Sequence, residues 1–181
     1  MNYSYKTVSF LLLISLLYIP IFSCKHPKPK LKVLRVNTTE HYFSSLKTKD
    51  VFKLTLKGDS ILTGQITFEI FNHNKKRIFA DTFSGSDLSF MDDTVLTILQ
   101  QEDTVKKRMN DFFAESNFKC PAATDADSAY LPDDHESYID YLDIKSDTSA
   151  IGFYYFYGYE GNYNIAYSKK KKKVVTYLSY D

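Results

Sequence analysis

Cysteine is scarce here. Cys24 and Cys120 are the only two among 181 residues, too few for the disulfide framework of a small secreted scaffold or for a cysteine-rich zinc site. The four histidines, His26, His41, His73 and His135, stand far apart with no i, i+4 pair, so imidazole does not make good the shortfall. Catalytic signatures are missing too: there is no G-x-S-x-G turn, no glycine-rich phosphate loop and no cysteine–histidine signature. Nor does one sign of charge dominate. The balance of 23 basic to 22 acidic side chains excludes the strongly basic profile of a dedicated nucleic-acid binder. These absences set the expectation of a protein without catalysis, cofactor or metal.

Long apolar runs are also lacking. After the positive charge of Lys6 comes VSFLLLISLLYI, Val8 to Ile19, twelve uncharged residues. A spanning helix needs ~20 apolar residues to cross ~30 Å of hydrocarbon, so the run has the length and position of a secretory signal peptide. Ile21-Phe22-Ser23-Cys24 follows and resembles the lipobox of bacterial lipoproteins, where a branched aliphatic residue and two mostly small ones precede the cysteine that receives lipid. Ile21, Ser23 and Cys24 match; Phe22 is bulkier than the residue usual at its place. The resemblance implies cleavage before Cys24, diacylglycerol on its sulfur and acylation of the new amino terminus. Two or more such chains anchor a protein stably, each buried CH₂ contributing about 0.8 kcal/mol. The implied partner is therefore membrane lipid, held through Cys24.

KHPKPKLK, residues 25–32, suits a tether, because Pro27 and Pro29 block helix and favour an extended chain. By the same resemblance, Lys25 in place of an inner-membrane aspartate, with no acidic stretch beside it, implies an outer-membrane anchor facing the periplasm. The expected organisation is a signal peptide over 1–23, a lipidated Lys/Pro tether over 24–32 and one domain over 33–181. Removing 1–23 leaves 158 residues and costs only the charge of Lys6; that length builds a core without staples. With Cys24 lipidated, Cys120 has no partner within the chain, and a lone thiol in an oxidising compartment is expected to be buried and inert. The competing reading is a Cys24–Cys120 disulfide, which lipidation excludes.

VFKLTLK alternates, with Phe52, Leu54 and Leu56 on one face and Lys53, Thr55 and Lys57 on the other. ILTGQITFEIF places Leu62, Ile66, Phe68 and Ile70 inward, and this period of two marks half-buried strands. RIFADTF predicts a third, residues 31–36 a further candidate, and Gly64 a bulge. Ser89 to Asp92 has the spacing of a capping box. Val95, Ile98, Leu99, Val105, Met109, Phe112 and Phe113 then form one apolar stripe, predicting a helix from Asp92 to Ala114 with a break near QQEDT. The acidic segment 121–147 reads as a loop, then a helix or strand over Ser137 to Ile144. AIGFYYFYGY, NYNIAYS and KVVTYLSY predict three closing strands. The expected fold is α+β: a mostly antiparallel sheet of about five to six strands, three before and three after, with one long or broken helix packed on one face.

Three signals compete for function. Asp125, Asp127, Asp133 and Glu136 fall at places one, three, nine and twelve of a calcium loop, but Ala129 and Tyr130 occupy a ligand place and the turn glycine. A solvated acidic loop is the stronger reading, and His135 within it reads as a surface side chain. The lysine run 169–173 reads as a hairpin turn that discourages edge pairing, ahead of a contact with anionic headgroups. The strand IGFYYFYGY is apolar on both faces. Either it is covered twice, or one set, drawn from Tyr154, Tyr155, Phe156 and Tyr157, forms an exposed partner surface. The leading expectation is an envelope lipoprotein with a small binding or structural domain. A periplasmic inhibitor or immunity protein is second; a calcium-dependent module or enzyme built on 121–147 is third.

Overall fold

The computed structural model describes residues 31–89, 96–130, 135–158 and 161–180. Cys24, His26, Val95, Asp133 and all of the Ser89–Asp92 capping box beyond its serine lie outside them. β1 (Val33–Tyr42), β2 (Lys49–Lys57), β3 (Gln65–Phe71) and β4 (Arg77–Ser84) pair antiparallel in chain order as one sheet. After helix α1 (Ile98–Asp111), β5 (Phe118–Lys119), helix α2 (His135–Ser146), β6 (Gly152–Tyr157), β7 (Gly161–Ser168) and β8 (Lys173–Tyr180) follow. Their strands form a second antiparallel sheet, again in chain order. The class is α+β, with two α-helices and two four-stranded sheets among the described residues in place of the single sheet expected from sequence.

The reason for two sheets is the number of apolar faces. Phe52, Leu54, Leu56, Ile66, Phe68 and Ile70 all lie fully buried on the first sheet, and Phe153 and Ile165 on the second. Their rings meet across the interface: Phe52 and Phe68 lie 5.4 and 5.5 Å from Phe153, and Phe68 lies 5.2 Å from Tyr155. Each apolar face is best buried against the other, which a single continuous sheet forbids.

α1 fills the rest of that core with Val105, Met109 and Phe112. Its amino terminus is fixed by Thr97, whose hydroxyl accepts the Gln100 N–H (3.3 Å) while the Gln100 side chain accepts the Thr97 N–H (2.9 Å). The helix runs unbroken through QQEDT and is shorter than the expected 92–114 span. Asn37 and Arg35 of β1 hold its last turn, donating to the Met109 carbonyl (2.7 Å) and the Asn110 side chain (2.6 Å). Ile98 and Leu99 do not join the buried part of the stripe; they are 71% and 66% exposed.

α2 settles the Ser137–Ile144 ambiguity as helix. Its Tyr141 and Ile144 pack with Ala166, Val175 and Tyr177 on the far face of the second sheet, so the β7–β8 half of that sheet is covered twice. Two further expectations are corrected. Gly64 precedes β3 instead of bulging it, and a Cβ there would lie 2.7 Å from the Ser60 carbonyl, so close backbone approach demands the glycine. Cys120 is exposed just beyond β5, not buried.

Candidate binding surface on the aromatic strand

β6 alternates between two environments. Phe153 and Tyr155 point into the inter-sheet core, at 0% and 3% exposure. Tyr155 donates its hydroxyl to Asp81 of β4 (2.9 Å), and Tyr157 stacks on Phe83 at 4.3 Å, ring to ring. Burial first, and the Asp81 carboxylate second, push the Tyr155 phenol far above its ordinary value. Tyr157 is raised as well, by burial and then by its hydrogen bond with Tyr163. Of the four residues considered for a partner surface, Tyr155 is thus a core residue and Tyr157 closes the end of the sandwich.

Tyr154 and Phe156 take the other face, beyond the part that α2 covers. Tyr154 is half-buried, its hydroxyl donating to Asn162 (2.7 Å), while Phe156 is 38% exposed. Two cations that sequence reasoning did not connect to this strand stand over it. The Arg108 guanidinium lies 5.0 Å from the Phe156 ring centre and the Lys119 ammonium 6.0 Å from that of Tyr154. Nothing local in the sequence pairs α1 or β5 with β6. Only the fold brings them together.

Below Phe156 is a cleft of about 80 Å³ between α1 and β6, walled by Leu88, Phe112 and Tyr155 and rimmed by Arg108, Asp111 and Asn117. That falls well short of the ~300 Å³ at which small-molecule sites begin. The cleft accepts one small apolar group, and no nucleophile–base pair lines it.

The lysine turn and the acidic segment, read separately from sequence, neutralise one another. Lys171 contacts Asp140 (2.5 Å) and Lys169 contacts Asp147 (2.7 Å). The Lys169 hydrogen bond, with help from Ser149, holds the Asp147 carboxyl below its usual range, and Asp140 raises Lys171. Ser168 donates to Asp143 (2.5 Å) and accepts the Lys171 N–H (2.8 Å), so its hydroxyl is committed to shaping the turn. Asp127 accepts the Thr124 N–H (2.6 Å) and Asp125 pairs with Lys145 (2.6 Å). Two of the calcium-like carboxylates therefore serve protein donors. Among the described residues no group of three or more His, Cys, Asp or Glu side chains is placed to hold a metal.

The histidines are equally separate. His41 stacks on Phe118 at 3.8 Å and meets Glu115 (3.3 Å), His73 sits in the β3–β4 turn, and His135 opens α2. Among the described residues no helix is long and apolar enough to cross a membrane. No family model, curated protein or solved structure matches this chain.

Proposed function

We propose that this chain is a lipid-anchored envelope protein, held by Cys24 in the outer membrane and facing the periplasm, whose domain binds another macromolecule without catalysis. The observation that carries the reading is Ile21-Phe22-Ser23-Cys24 placed directly after a short apolar run and directly before a Lys/Pro stretch. The first strand opens at Val33, where that stretch ends. The ledge of Tyr154 and Phe156 suits a protein partner that offers an apolar side chain.

Intact mass and detergent partitioning test the anchor. The wild type is expected in the detergent phase with the mass of a chain starting at Cys24 plus acyl groups. Cys24→Ala is expected to appear as an unprocessed or aqueous form. A wild-type chain carrying an intact Cys24–Cys120 disulfide would end the proposal.

A further inference from the structure

We infer that His41 is a pH-sensitive latch, fastening β1 to the segment that carries β5 when its imidazole holds two protons and slackening when it holds one. Both ring nitrogens face acceptors. Nδ1 lies 2.8 Å from the Tyr42 carbonyl, and Nε2 lies 3.3 Å from the Glu115 carboxylate. A carbonyl can only accept, so Nδ1 needs a proton to bond it. The neutral ring has no second N–H, which leaves the Nε2 lone pair aimed at a carboxylate oxygen. Imidazolium donates to both. The ring is held in that orientation by its stack on Phe118, with centroids 3.8 Å apart and planes inclined by 14°.

The charged groups facing the ring are anionic. Besides Glu115, Asp50 stands directly opposite His41 in the β1–β2 ladder, on the same face. Its Oδ2 accepts the Ser44 N–H (2.6 Å), while its Oδ1 is buried with no hydrogen-bond partner among the described residues. Of the neighbouring cations, Lys49 stands over the Tyr42 ring and Lys119 over that of Tyr154. The latch matters because β5 is short: it pairs with β6 through Phe118 and Lys119 alone. The turn Glu115–Asn117 before it supplies Asn117 to the rim of the α1–β6 cleft. Slackening at His41 therefore loosens the segment that frames both the cleft and one edge of β6.

Hydrogen exchange of the full chain, read by mass spectrometry and normalised to unstructured-peptide rates at each pH, tests the latch through peptides spanning 115–119. The Glu115 side chain is 87% exposed, so the effect is that of a surface ion pair. Protection is expected to be about two- to fivefold higher at pH ~5.5 than at pH ~7.5, on either side of the ~6.5 at which free imidazole titrates. Peptides from β3 are expected to show no such change. Glu115→Gln is expected to give similar protection at both pH values, since an amide accepts from imidazolium and donates to the neutral ring. His41→Phe keeps the stack without the donors and is expected to show the weaker protection throughout. A wild type equally protected at both pH values would overturn the inference, as would either variant keeping the wild-type pH dependence. Circular dichroism confirms that each chain is folded, and the exposed Glu115→Gln change keeps the test decisive where His41→Phe lowers stability.

Discussion

Phe68 is where all the layers touch. The rings of Phe52, Phe79, Phe112, Phe153 and Tyr155 surround it at 5.2 to 6.2 Å, and none of its own surface reaches solvent. Phe68→Ala removes a ring from the centre of a close-packed cluster that cannot collapse from two sheets at once. The expected cost is about 3–5 kcal/mol, read from the urea midpoint at unchanged slope. A loss below about 1 kcal/mol would mean the sheets do not meet there. Tyr155 makes a different prediction, about pH. A free tyrosine ionises near pH 10, whereas burial and Asp81 keep this one protonated far above that. Above pH ~10 the folded chain therefore holds a proton that the unfolded chain has released, and stability falls as pH rises. The slope for one such group is about 1.4 kcal/mol per pH unit, and the contribution is whole below pH ~10. Tyr155→Phe is expected to flatten the alkaline limb of stability against pH while losing ~1.5–3 kcal/mol of charged hydrogen bond at neutral pH. An alkaline limb identical in wild type and variant would contradict it.

At the scale of elements, the strands of the first sheet were legible because Lys53, Thr55 and Lys57 stay polar opposite Phe52, Leu54 and Leu56. Lys53 and Lys57 reach solvent on that face, although Thr55 between them is buried. The pairing of two sheets was not legible, since an inward face has the same pattern whatever covers it. α1 was misjudged in length for a related reason: Ile98 and Leu99 continue the stripe in sequence but stay exposed in the fold. α2 resisted because it is apolar on both sides. Tyr141 and Ile144 are buried, while Tyr138, Ile139 and Leu142 are 38 to 42% exposed, leaving no single stripe. Its attachment is expected to be weaker than that of the aromatic core. The contact is rich in small residues, Ala122, Ala123, Ala150 and Ala166, and is supplemented by the Lys171–Asp140 ion pair. Native-state hydrogen exchange is expected to show the α2 amides opening before those of β2 and β3, and the gap to widen with salt as the ion pairs weaken. Equal protection at all salt concentrations would show that α2 is as firmly held as the core.

For the whole molecule, the resemblance at Cys24 is a local one, four residues read together by position, and it lies outside the described residues. The ledge on β6 was half legible. Tyrosine and phenylalanine in alternation announced two apolar faces but not that α2 would cover one end of the outer face and leave Tyr154 and Phe156 at the other. Arg108 and Lys119 were beyond reach, contributed by separate elements. The topology carries something else. The first sheet is built from strands consecutive in the chain and joined by short connections, so it can form from short-range pairings, the kind that closes quickly. In the second, β5 reaches β6 only across α2. The first sheet is finished by Ser84, while every strand that covers its aromatic face lies after residue 117. A chain delivered amino terminus first thus completes a four-stranded sheet whose Phe52 and Phe68 stay wet until the second half arrives. Apolar surface left open in this way is what makes a partly folded chain prone to aggregate. Refolding yield is therefore expected to fall as protein concentration rises, even at unchanged stability.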